Sequence, residues 1–155
     1  MNRTVYVILW VIVTLIVGFI SSFFQSSASG EWYDTLQRSS LTPPDWVFPV
    51  AWTILYILMG ISVGLLRGVR SIFTRLLNIV FVLQLILNFF WTFLFFYMES
   101  PFLALIDIML LDIAVLVFFA GAFVVYRPSA WLFLPYLLWL AFASYLNWYV
   151  VMYNV

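Results

Sequence analysis

Long apolar runs broken by brief polar punctuation make up most of the chain. A helix that crosses a bilayer needs about 20 mostly apolar residues at a rise of about 1.5 Å each. Five segments reach that length, at about 5–24, 45–66, 72–98, 102–126 and 129–151. Their separators are short: 68–71, then Glu99-Ser100-Pro101 with Pro101 suited to a first helical turn, then Arg127-Pro128. Only the connection 25–44 is long, and no internal repeat is visible. The pattern predicts an all-α integral membrane protein, a five-helix transmembrane bundle forming one domain over 1–155. Arg3 before the first segment and Ser27-Ala28-Ser29 after it fit a cleaved leader. Its apolar core exceeds the roughly 7–15 residues such leaders use, so the segment is expected to stay.

Polar residues inside these segments fall on faces. Gln84, Asn88 and Trp91 recur at i, i+4 and i+7 on the third segment, as do Trp52, Tyr56 and Met59 on the second. The fifth carries Trp139, Ala143 and Asn147 on one stripe, with Tyr136 and Leu146 beside it. The first carries Thr14, Gly18, Ser21, Ser22 and Gln25 toward its C-terminal end. Amides and small residues commonly hold membrane helices together, which accounts for Gly18, Gly60 and Gly64. Faces that join large aromatics to a hydrogen-bonding group also suit a cavity for a flat apolar ligand. The sequence leaves both readings open.

Asp107 and Asp112 are the ionisable groups well inside a span, where a carboxylate is a functional candidate by default. Five residues apart, they diverge by about 140° around the helix, and no intramembrane Arg pairs them. Each is expected to take hydrogen bonds from Trp, Tyr or Ser/Thr groups, or to be protonated. A structural or ion-linked role fits them at least as well as paired acid/base chemistry.

Composition strengthens the membrane reading. The chain is 67% hydrophobic and 8% charged, against about half and about a quarter in a soluble domain. The bilayer must act as solvent. Arg3, Arg67, Arg70, Arg75 and Arg127 fall on the N-terminal side of such a bundle, and Arg38 alone on the other, with Glu31, Asp34, Asp45 and Glu99. The positive-inside rule then puts the N-terminus in the cytoplasm and the C-terminus outside. No basic patch suggests nucleic acid. The lack of His, Lys and Cys excludes disulfides, Schiff bases, thiolate sites and Ser-His-Asp hydrolysis, and no metal site is expected.

The long connection contains Glu31-Trp32-Tyr33-Asp34-Thr35-Leu36, enough for a turn or two of helix with Trp32 and Leu36 on one face. It continues Leu41-Thr42-Pro43-Pro44-Asp45-Trp46-Val47-Phe48-Pro49, where paired prolines stiffen the backbone. Two readings fit: an aromatic anchor at headgroup level, or a lid over a cavity between the helices.

These residues, in this order, resemble the TspO/MBR family, the translocator proteins once called peripheral-type benzodiazepine receptors. The match runs from Trp32 to about Asn147. Trp32-Tyr33-Asp34-Thr35-Leu36-Gln37-Arg38-Ser39 and Pro43-Pro44-Asp45-Trp46 resemble the family's first-loop pattern. Val47-Phe48-Pro49-Val50-Ala51-Trp52-Thr53-Ile54-Leu55-Tyr56 resembles its second helix, and Gln84-Leu85-Ile86-Leu87-Asn88-Phe89-Phe90-Trp91 its third. Pro135-Tyr136-Leu137-Leu138-Trp139-Leu140-Ala141-Phe142-Ala143-Ser144-Tyr145-Leu146-Asn147 resembles its fifth. Arg38-Ser39 stands where the family has Lys-Pro, and Leu41 where an aromatic is common. No Arg or Lys follows Arg127, so the basic residue of the family's proposed sterol motif is absent.

The resemblance implies a bundle in a bacterial cell membrane, dimeric as is usual in the family, with a pocket open toward the long connection. It implies ligands such as protoporphyrin IX, haem-like tetrapyrroles and other flat hydrophobic molecules, bound for transport or sensing, with no cofactor required. Tyr33, Pro43 and Pro44 would belong to a lid. Trp52, Tyr56, Gln84, Asn88, Trp91, Trp139, Ala143, Leu146 and Asn147 would serve the pocket. Light- and oxygen-dependent porphyrin breakdown, reported in some members, would implicate Trp52 and Trp139 as catalytic.

Overall fold

The computed structural model describes residues 2–28 and 32–154. Helix α1 spans Arg3–Ala28, a short α2 Trp32–Thr35, and α3 Val47–Leu65. Helix α4 spans Phe73–Thr92 and runs on into a π-helical turn, Phe93–Tyr97. Helices α5 and α6 span Pro101–Val125 and Arg127–Asn154. Among the described residues, five helices are long and apolar enough to cross a membrane. An isolated backbone in hydrocarbon must satisfy its own N–H and C=O groups, and a continuous helix does so.

The termini shift from their expected places. Helix α1 continues past residue 24 to Ala28, and α6 begins at Arg127 and runs to Asn154. The short helix expected around Glu31–Leu36 is present as Trp32–Thr35; Glu31 and Ser29 lie outside the described residues. The third span ends in the π turn, where Met98 N–H donates to the Phe93 carbonyl at 3.0 Å. Glu99, at φ 50°, then breaks the helix, and Pro101 opens α5.

Packing order differs from chain order. Helix α1 packs on α3, α3 on α6, α6 on α5 and α5 on α4, and α4 with its π turn closes back on α1. The α1–α3 seam is held by glycine. A Cβ on Gly60 would lie 2.5 Å from Val11 Cα and 2.7 Å from its nitrogen, and one on Gly64 2.7 Å from Val7 Cα. Small residues let the two backbones touch, as the sequence suggested. Across the same seam, Thr14 Oγ1 donates to the Tyr56 carbonyl at 2.7 Å.

One end of the bundle is solid. Phe81, Phe118 and Phe133 are fully buried, with the Phe118 and Phe133 ring centres 4.3 Å apart. Nearby, the Ser62 and Ser129 hydroxyls each bond the other's carbonyl at 2.8 Å, pinning α3 to α6. Arginines gather at this end: Arg3 donates to the Leu65 carbonyl and lies over Tyr126, and Arg67 lies over Tyr6. The described part of the long connection, from Trp32 on, lies at the other end.

The seam makes a test. Gly60→Ala meets backbone, whereas a Cβ on Gly121 meets Leu77 Cδ2, the end of a flexible side chain. Gly60→Ala should destabilise the detergent-solubilised protein by about 1–3 kcal/mol, and Gly121→Ala by less. Thermal unfolding that ranks them the other way would contradict this account of the seam.

Candidate functional site

A polar layer crosses the bundle above the solid end. Tyr56 OH donates to Asn88 Oδ1 at 2.6 Å, Asn88 Nδ2 to Tyr136 OH at 3.2 Å, and Tyr136 OH to Gln84 Oε1 at 3.0 Å. Gln84 Nε2 ends the chain on Met59 Sδ at 3.9 Å. Each hydroxyl and amide gives one bond to the next, so no member is stranded in an apolar interior. The chain ties α3, α4 and α6 together at one depth.

Above this layer the helices part around a cavity of about 620 Å³. Its walls come from α1, α3, α4 with the π turn, and α6; α5 contributes none of the lining residues. Trp52, Trp91 and Trp139 present aromatic surface to it. Trp52 lies against Trp139 at 6.5 Å between ring centres, and Trp91 stacks on Phe95 at 5.4 Å. Trp91 is fixed from behind: its Nε1 donates to Asn147 Oδ1 at 2.9 Å, and Asn147 Nδ2 donates to the Pro101 carbonyl at 2.9 Å. Trp139 Nε1 is a buried donor with no acceptor among the described residues. The π turn matters here, because it brings Phe95 and Phe96 to the wall together with Trp91 and Thr92. Such turns recur at functional sites.

The described part of the long connection, from Trp32 on, roofs the cavity. Tyr33, Asp34, Arg38, Thr42 and Asp45 line its mouth. Trp32 and Tyr33 pack on Phe95, with Leu36 against the same cluster. Trp46 is not among the lining residues and is 68% exposed.

The structure brings most of the expected site together. Tyr33, Trp52, Tyr56, Trp91, Trp139, Ala143, Leu146 and Asn147 all line the cavity. Gln84 and Asn88 do not; their amides are consumed in the polar layer beneath, where each is almost fully buried. Pro43 and Pro44 are also absent from the lining, although Thr42 and Asp45 on either side belong to it. Asp107 and Asp112 sit on α5, away from the cavity lining. Asp112 Oδ2 accepts from Ser144 Oγ at 2.7 Å, as expected of it, while Asp107 Oδ2 is buried without a partner among the described residues. Lining residues that the sequence did not single out include Leu15, Phe19, Phe48, Thr53 and Val150, ordinary apolar or hydroxyl positions with no distinguishing signal.

Fold and cavity define a polytopic α-helical membrane protein with a roofed, tryptophan-walled chamber in one half of the bundle. The chain belongs to the TspO/MBR family, whose model matches residues 10–153. It is 39% identical to the tryptophan-rich protein TspO of Chlorobaculum tepidum over 90% of each chain. It is 36% identical to the protein of that name from Archaeoglobus fulgidus, covering 93% of this chain and 94% of that one. It is also 33% identical to the human translocator protein, covering 85% of this chain and 80% of that one.

Asn88→Leu should cost about 1–3 kcal/mol, because it takes the acceptor from the buried Tyr56 hydroxyl and a donor from Tyr136, whose own bond to Gln84 remains. Paired with Tyr56→Phe, the double variant should lose clearly less than the sum of the single losses. Additive unfolding free energies would show that the layer is not a coupled unit.

Proposed function

We propose that this membrane protein binds porphyrins, protoporphyrin IX and related tetrapyrroles among them, and other flat hydrophobic ligands in the roofed cavity, for transport or sensing. The carrying observation is the chamber itself: about 620 Å³, walled by Trp52, Trp91 and Trp139. Drug-sized ligands occupy pockets of roughly 300–1,000 Å³, and the indole faces offer stacking surface to a planar ring. Membership of the family supports the same reading. The distribution of arginines favours a cytoplasmic N-terminus and a cavity opening to the opposite side, in a bacterial cell membrane. Resemblance to the family favours a homodimer.

A second reading is a light- and oxygen-dependent porphyrin-degrading enzyme. The contact between Trp52 and Trp139, both on the wall, favours it. The excited porphyrin and oxygen would supply the reactivity, and the indoles would donate electrons or be attacked.

Protoporphyrin IX titrated in the dark should quench tryptophan fluorescence saturably, and Trp91→Ala should weaken binding about tenfold, the worth of roughly one good stacking contact. Failure to quench would leave a scaffold without a ligand. Illumination should then yield a defined product that Trp52→Phe with Trp139→Phe abolishes; unchanged product would remove the enzymatic reading.

Iron should add little. Among the described residues the lining holds no His, Cys or Met, only the phenols of Tyr33 and Tyr56 among side chains that serve as haem axial ligands. Haem and metal-free protoporphyrin should bind within about tenfold of each other. Much tighter haem binding with the spectrum of a six-coordinate iron would contradict this.

A further inference from the structure

We propose that Arg38 is the anion-recognising residue of the cavity, so that the site selects flat apolar ligands bearing carboxylate groups over neutral ones. The inference rests on the reading of the cavity as a ligand site.

Arg38 is the one cation among the described residues that line the chamber. Its position is fixed by its neighbours. Gln37 gives its N–H to Asn154 Oδ1 at 2.7 Å, and its carbonyl accepts from Asn154 Nδ2 at 3.1 Å. On the other side, Ser39 Oγ lies 3.2 Å from Tyr145 OH. Both flanking residues are therefore pinned to α6, and the Arg38 side chain between them lies on the mouth, over the Tyr33 ring at 4.6 Å. This backbone is preorganised to hold a guanidinium there.

The resting partners of that guanidinium are weak. Asp34 and Asp45 approach it at 3.7 and 3.8 Å, and their side chains are 65% and 83% exposed. Arg38 makes no hydrogen bond among the described residues. Its five donors remain available in the planar fork that matches a carboxylate with two parallel bonds. Solvated carboxylates at such distances gain little from the pair. A ligand carboxylate held at the mouth, its ring system below among the tryptophans, replaces those loose contacts with a bidentate bond. Asp34 and Asp45 then act as competitors that hold the fork until a ligand arrives.

The test compares protoporphyrin IX with its dimethyl ester, the same macrocycle without free carboxylates, by dark fluorescence titration of the full chain in lipid nanodiscs. The wild type should bind the diacid about tenfold more tightly than the diester, the worth of a charged hydrogen bond. Arg38→Gln should bring that ratio to about one, and Arg38→Lys should keep part of it. Asp34→Asn with Asp45→Asn should raise the ratio by removing the competitors. A wild-type ratio near one, or a ratio that survives Arg38→Gln, overturns the role of Arg38 alone. Failure of the wild type to bind either porphyrin overturns the cavity reading and this inference with it.

Discussion

Hydrocarbon offers no solvent partner to an amide or a phenol, so the polar layer of Tyr56, Asn88, Tyr136 and Gln84 must satisfy itself. It does so head to tail, with donor to acceptor distances of 2.6, 3.2 and 3.0 Å. That arrangement fixes three helices at one depth and in one rotation. Everything toward the arginine-rich end is packed solid by Phe81, Phe118 and Phe133. Toward the long connection the helices part around the cavity. The layer is the floor of the cavity, and its amides are structural rather than free to meet a ligand.

The seam between α1 and α3 provides the second constraint. Gly60 and Gly64 let the α1 backbone lie against α3 near the solid end. Further along α1, the ring of Tyr56 occupies the place where a side chain at position 18 would stand. Glycine at 18 thus leaves room for the phenol that starts the polar chain. The seam, the floor and the π turn act together: the first sets how close the helices come, the second where the gap begins, and the third which aromatics face it.

Much of this was legible in the sequence, because a bilayer allows few alternatives. Five apolar runs could only be five spans, and helical periodicity placed Trp52 and Tyr56, or Trp139, Ala143 and Asn147, on common faces. Periodicity did not say how deep along a face the cavity stops. Gln84, Asn88 and Trp91 share a stripe, yet only Trp91 reaches the wall, because the two amides find Tyr56 and Tyr136 below it. Pro43 and Pro44 stiffen the roof without lining it. The π turn was hidden, since Phe93–Tyr97 reads as ordinary apolar helix. The anchoring of the backbone around Arg38 was hidden too. Its setting depends on Asn154 and Tyr145, more than a hundred positions away in the chain.

The central claim is that a flat ligand enters this chamber and meets its three tryptophans. Fluorine NMR of the chain labelled with 5-fluorotryptophan tests it residue by residue, because a macrocycle shifts only the indoles close to its ring current. Protoporphyrin IX should shift the signals of Trp52, Trp91 and Trp139 and leave those of Trp131 and Trp148, which are 57% and 47% exposed on the outside of the bundle, in place. Shifts at Trp131 or Trp148 with the cavity trio unmoved would put the ligand on the lipid-facing surface and contradict the account.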